Sequence, residues 1–161
     1  MATNTYLHCD PIKGESTDED HKDWIEVFSF SHGVSQPMSG ASGTGGRGAA
    51  RADFGHFVIS KSVDAASVDL HMYCAKGEHI AKVELEVCQE SGERVCYLKY
   101  ELENAMIQSV SVGGGGSDRP IESVTFVYDK ISWNYTPVSN DGKAGTATGA
   151  KKWNLETNKA E

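Results

Sequence analysis

Residues 82–102 read KVELEVCQESGERVCYLKYEL, and the fold turns on this stretch. Val83, Leu85 and Val87 alternate with Lys82, Glu84 and Glu86, the two-residue period of a strand with one buried and one wet face. After the Ser91-Gly92 turn, Cys96, Leu98, Tyr100 and Leu102 alternate with Tyr97, Lys99 and Glu101, so a second strand returns beside the first. A two-residue loop sets Cys88 opposite Val95 and Cys96 opposite Val87, on opposite faces of the ribbon. That register forbids a disulfide, whereas a one-residue shift permits one. No C-x-x-C pair occurs, and the expectation is four free thiols: Cys9, Cys74, Cys88 and Cys96.

Outward from the hairpin the pattern stays that of strands. Downstream run Met106–Val112, the glycines Gly113 to Gly116, and then Ile121–Tyr128 with Val124, Phe126 and Tyr128 on one face. The phase flips near Asp129 to give Ile131, Trp133 and Tyr135. Upstream, Thr5–Asp10 reads as a strand that ends at Pro11, and Phe54–Lys61 as one with Phe57 and Ile59 inward. In Trp24–Ser31, Ile25 and Val27 share one face while Phe28 and Phe30 share the other. A bulge near Val27–Phe28 brings both pairs inward and turns Ser29 and Ser31 away from the core. One helix is predicted over 65–76, with Asp64 as its N-cap, Ala66, Leu70, Tyr73 and Cys74 on one face, and Gly77 just past its end. Many short strands with one helix indicate a mainly β fold, a barrel or sandwich of two sheets with a flanking α-helix.

Three segments stand outside this pattern. Gly14–Asp23 (GESTDEDHKD) is polar and acidic and is expected to be an exposed loop. Gly33–Asp53 holds Gly40, Gly43, Gly45, Gly46 and Gly48 and is too long for a simple connection. Asn140–Gly149 reads as a flexible linker leading to an apolar anchor, Trp153-Asn154-Leu155. The chain therefore divides into a β-barrel domain over 1–139 and a tail over 140–161.

Composition narrows the function. At 161 residues, with 39% hydrophobic and 24% charged, the chain suits one domain with a closed core. A net charge of −8 without a lysine or arginine cluster argues against a nucleic-acid or anionic-membrane partner. No apolar run approaches the ~20 residues needed to insert in a membrane as a helix. The N-terminal MATNTYLHCDPIKGES lacks a basic segment followed by an apolar one, so the expectation is cytoplasmic synthesis without a secretory signal.

Local motifs give no chemistry and no cofactor. Gly43-Thr44-Gly45-Gly46-Arg47-Gly48 matches G-x-G-x-x-G, but neither a strand directly before it nor a helix opening after it is predicted, so a dinucleotide has no cradle. Gly113–Gly116 is followed by Asp118, which repels phosphate. His71, Cys74 and His79 have an H-x₂-C-x₄-H spacing that still needs further metal ligands, and Cys74 belongs to the apolar stripe. Ser31 and His32 are strand neighbours pointing to opposite faces and cannot act as nucleophile and base. The carboxylates Glu15, Asp18, Glu19, Asp20 and Asp23 read as a solvated surface.

Several stretches together resemble the hemolysin-coregulated protein (Hcp) family, the tube protein of bacterial type VI secretion. They are Lys13-Gly14-Glu15-Ser16, Ile25–Ser31 with Gly33, the long Gly/Ser loop, Lys61-Ser62-Val63-Asp64 before the helix and Lys76-Gly77-Glu78-His79 after it. The most specific are Val110–Gly114, Pro120-Ile121-Glu122 and Val124–Ile131, and the ending Lys152-Trp153-Asn154-Leu155 is similar as well. The resemblance implies a homo-hexamer, six copies closing into a ring, with rings stacking into a hollow tube. It further implies a contractile sheath around the tube, a VgrG-type spike protein at its tip, effector proteins in its lumen, secretion by this system, and no catalysis. By analogy Ser29 and Ser31 face the lumen, although an outer wet face suits Ser31 nearly as well. The loop carrying Gly40, Gly43, Gly45, Gly46, Arg47 and Gly48 is well placed to reach a neighbouring subunit or ring. Two other readings stand beside this one: a monomeric β-sandwich that stacks carbohydrate on exposed Trp24, Trp133 or Tyr135, and, with least support, an unrecognised hydrolase.

Overall fold

A computed structural model of the chain describes residues 2–38, 48, 50–90 and 92–161. Its strands are β1 (Thr3–His8), β2 (Ile25–Val27), β3 (Ser29–Ser31), β4 (Val34–Ser35), β5 (Asp53–Phe54) and β6 (Phe57–Ser62). After α1 (Ala66–Lys76) come β7 (His79–Gln89), β8 (Val95–Gly113), β9 (Ile121–Val127), β10 (Lys130–Tyr135), β11 (Lys151–Asn154) and β12 (Lys159–Ala160). The fold is mainly β, as the alternating pattern requires.

The nineteen residues of β8 organise the sheet. One edge bonds to β7 from Val95 to Met106. The other edge bonds first to β10, over Leu98–Glu103, and then to β9, over Met106–Gly113. β9 and β10 are thus one strand interrupted at Tyr128-Asp129, the place of the predicted phase flip. β1 lies between β7 and β2, while β6 lies between β9 and β3. The chain passes from one wing to the other at Phe28, whose N–H bonds to the Ser60 carbonyl at 2.8 Å. This crossing accounts for the phase change in Trp24–Ser31, with one correction. Ile25 and Val27 are buried and Phe30 packs on the core, but Phe28 sits at the bend and is 65% exposed.

Leu7, Phe57, Ile59, Val83, Leu85, Leu102, Val124, Phe126 and Ile131 meet in one core. Burying a side chain of this size stabilises the fold by about 1.5–3 kcal/mol each. α1 closes part of the core with Ala66 and Leu70. Its C-terminal end follows the sequence reading, with Gly77 at φ 65°, the left-handed conformation that ends a helix; at the other end Ala65 and not Asp64 is the N-cap residue, while Asp64 Oδ1 still accepts the Ala66 N–H at 2.9 Å.

Three expectations change. Gly14–Asp23 is not wholly exposed: Ser16 and His21 are each 2% exposed, because the loop folds back on the sheet. Gly14 permits this close approach, since a Cβ there would lie 2.4 Å from the Trp24 carbonyl oxygen. Gly33–Asp53 is not structureless at its ends, where β4 and β5 pair as a ribbon; β6 then begins only at Phe57, after a break at Gly55-His56. Finally, Cys88 and Cys96 form a disulfide and only Cys9 and Cys74 are free. Val87 pairs with Leu98 but Cys88 pairs with Cys96, so Tyr97 is an extra residue on β8. The bulge moves Cys96 off the inward series of Leu98, Tyr100 and Leu102 and onto the face of Cys88.

The residues expected to form a tail join the same sheet at its far edge. β11 pairs with β10, with Trp153 opposite Ile131.

A buried polar cluster fastens α1 to the sheet. Lys61 is fully buried, and its Nζ bonds to Glu122, to Asp64 Oδ1 at 2.9 Å, to the Ser62 carbonyl at 2.9 Å and to Ser67 Oγ at 3.3 Å. Ser67 Oγ also donates to Glu122 Oε1 at 2.6 Å. Buried charges survive only when paired and hydrogen-bonded in this way.

Candidate functional site

The most elaborate construction on the surface is the base of the glycine-rich loop. Gly55 N–H bonds to the Gly33 carbonyl at 2.8 Å beside the β4–β5 ribbon, and Ala50 N–H reaches the Pro37 carbonyl at 3.3 Å. Beneath the ribbon lies an aromatic group. Phe54 meets Trp133 at 6.1 Å and Trp153 at 6.0 Å, and His32 contacts Phe54, Phe57, Tyr100, Tyr128 and Trp133. Tyr128 donates to the Gly55 carbonyl at 2.8 Å, so the 2.7 Å contact between its oxygen and His32 Nε2 has the imidazole as donor. Burial pushes the His32 pKa down and that of the Tyr128 phenol up, which keeps both neutral in this apolar setting. The Arg51 guanidinium adds a bond to the Leu155 carbonyl, tying the loop base to the C-terminal segment. The loop thus rises from a braced stem. Of its residues singled out in the sequence, Gly48 is exposed, while Gly40, Gly43, Gly45, Gly46 and Arg47 lie outside the described residues.

Ser29 and Ser31 are exposed on β3. The polar residues of β7 are on a different set of strands, between β1 and β8. There Lys82 Nζ bridges Glu84 at 2.6 Å and Glu101 at 3.4 Å, and Lys99 bridges Glu86 at 3.2 Å. Apolar side chains also reach solvent in separate places: Phe28 at the bend between β2 and β3, Val34 and Met38 near the loop base, Val68 and Met72 on α1, and Val112 and Ile121 where β8 ends and β9 begins.

Other candidates are engaged elsewhere. His71 Nδ1 donates to the Ser67 carbonyl at 2.6 Å and His79 Nδ1 bonds to Asn104 at 2.9 Å, and among the described residues the two histidines and Cys74 do not come together as a ligand group. Cys9 is buried, which pushes its thiol up to about 12 and leaves it inert. Of the proposed sugar platforms, Trp24 stacks on His8 at 5.0 Å and Trp133 lies in the aromatic group, leaving Tyr135 as the exposed ring.

The family model for "Type VI secretion system effector, Hcp" matches residues 6–135, most of the chain. The chain belongs to the Hcp family. Protein hcp1 of Pseudomonas aeruginosa is 33% identical over 160 residues, 98% of each chain. The Major exported protein of Pseudomonas aeruginosa is 30% identical over 140 residues, 80% of this chain and 78% of that one. A solved type six secretion system protein superposes with a TM-score of 0.95 at 36% identity, covering 99% of this chain and 100% of the other. As an Hcp protein the chain is a component of type VI secretion, and the strands, the helix and the loop base described above are this family's fold.

Proposed function

We propose that this Hcp chain is the structural subunit of a secretion tube: six copies close into a ring and rings stack into a hollow conduit. A contractile sheath drives the conduit outward behind a VgrG-type spike protein, and effector proteins travel in its lumen. The work is mechanical and not catalytic. The reading is carried by the near-complete match of fold to a type six secretion system protein, at a TM-score of 0.95. The separate exposed apolar patches support it, because a ring needs two unlike surfaces on each subunit. In this arrangement Ser29 and Ser31 face the lumen, where small hydroxyls present a wet, non-adhesive wall to cargo. The loop of residues 40–48 reaches from its braced stem to the next ring. The chain is made in the bacterial cytoplasm and leaves with the apparatus.

Native mass spectrometry of the purified chain tests this. A species of six chains, with multiples of it at higher concentration, is expected; a strict monomer at every concentration overturns the proposal. Deleting residues 40–48 is expected to preserve the six-chain species and abolish its multiples, and long tubes from that variant would refute the role given to the loop.

A further inference from the structure

The loop of residues 14–23 lies over the outer face of β1 and β7, next to the Cys88–Cys96 pair, and is locked there by its backbone. Gly14 N–H bonds to the Asp23 carbonyl at 2.7 Å, Asp23 N–H to the Ser16 carbonyl at 2.9 Å, and Trp24 N–H to the His21 carbonyl at 3.1 Å. His21 is 2% exposed, with its ring stacked on Tyr6 at 4.3 Å and edge-on to Trp24 at 4.7 Å. Its Nδ1 lies 2.9 Å from Asp18 Oδ1, and Asp18 is in turn held by Arg94 Nη1 at 2.6 Å. On the other side of the ring Nε2 lies at hydrogen-bond distance, 2.7 Å, from Glu86 Oε2, and 3.9 Å from each sulfur of Cys88 and Cys96.

A polar ring buried on both faces, aimed by a carboxylate and directed at two sulfurs and a second carboxylate, is built as a metal ligand is built. The four donor atoms, from His21, Glu86, Cys88 and Cys96, lie within 4.8 Å of one another. We propose that reduction of the Cys88–Cys96 disulfide converts this cluster into a zinc site, with His21 Nε2, Glu86 Oε2 and the two cysteine sulfurs as ligands.

Zinc takes this mixed N, O and S set in a tetrahedron with bonds of about 2.0–2.3 Å, which the cluster reaches once the two sulfurs separate and the 2.7 Å contact between His21 and Glu86 opens. Magnesium and calcium, which require oxygen cages, do not fit. The chemistry balances with a dithiol reductant. Two electrons and two protons pass to the protein, its S–S bond breaks, and the reductant's own S–S bond forms. Zinc then displaces to solvent the two thiol protons and the proton held between His21 Nε2 and Glu86. Either state clamps β7 to β8, and the zinc state also clamps the 14–23 loop through His21. Asp18 is a positioning residue that orients the imidazole. The inference is independent of the tube assignment, because it concerns one chain.

The test uses the full chain, reduced with a phosphine, freed of reductant without oxygen, and titrated with Zn²⁺ against a chromophoric chelator. Co²⁺ serves as the spectroscopic probe. One ion per chain is expected for the reduced protein and none at this site for the oxidised protein. The cobalt adduct is expected to show thiolate-to-metal charge transfer and the intense visible bands of a tetrahedral ion. Cys96→Ser, which leaves the packing of His21 in place, is expected to abolish tight uptake and weaken the charge-transfer band. Asp18→Asn is expected to weaken affinity by roughly 10–100-fold with the band shape kept. His21→Gln retains both cysteines, so its circular dichroism in the oxidised state separates loss of a ligand from loss of fold. Uptake by the reduced chain no greater than by a Cys88→Ser/Cys96→Ser double variant, or a cobalt adduct without thiolate charge transfer, overturns the proposal.

Discussion

Two polar clusters tie distant parts of this chain together, and they differ in their access to water. Around Lys61 and Glu122, inside the sheet and under α1, both side chains are wholly buried. Around Asp18, Arg94 and Glu90, at the tip of the β7–β8 hairpin, the partners are 13–25% exposed. In the inner cluster, desolvating each charge costs several kcal/mol, so its net contribution is small even though breaking half of it is severe. In the outer cluster, solvent shares the work, single losses are milder, and the interaction can be tuned by pH. Water access, and not the number of hydrogen bonds, sets the consequence of a mutation.

The comparison is most exposed at Lys61. Lys61→Met leaves Glu122 buried without its partner and is expected to cost about 3–5 kcal/mol in urea unfolding. Lys61→Met with Glu122→Leu is expected to recover most of that loss; a double variant as unstable as the single one would break the contrast. Next comes the covalent tie of the hairpin. Cys88→Ser is expected to cost about 2 kcal/mol relative to the oxidised protein, from the closure entropy of a loop this short, measured with chelator present.

At the outer cluster, the Arg94 hydrogen bond holds the Asp18 carboxyl well below the usual carboxylate range. A depressed folded pKa means that Asp18 contributes stability above its unfolded pKa and loses it as pH falls through the folded value. Arg94→Gln is therefore expected to cost about 1–2 kcal/mol at neutral pH, with the gap to the parent protein narrowing on acidification through and below about pH 4. Thermal melts across that range measure it, and a gap that widens in acid contradicts the assignment. The smallest effect is expected on the wet ladder, where Lys82 is 48% exposed. Lys82→Ala should change stability by less than about 0.5 kcal/mol.

What could be read from the sequence was what depends on local periodicity. The C-terminal end of α1, the alternation in β7 and β8, the phase flip before Ile131 and the inward Phe57 and Ile59 all follow from backbone geometry over a few residues. The disulfide could not be read, because one extra residue, Tyr97, sets the register of Cys96, and nothing local marks it. The burial of His21 depends on a contact with Glu86, sixty-five residues away, while its loop has a solvent-loving composition. The Lys61–Glu122 pair does leave a local signal in the sequence. Lys61 continues the inward series of Phe57 and Ile59, and Glu122 precedes Val124 and Phe126 in the same phase. Two opposite charges, each at the end of an apolar stripe, point to a partner inside.

The long β8 changes partners part-way along its nineteen residues. Asn104 holds φ 49°, a left-handed residue inside a strand, where the second edge passes from β10 to β9, and the register shifts soon after, between Ile107 and Ser109. The strand bends at this joint, so the sheet turns a corner there, and a β-branched residue at Asn104 would strain the turn.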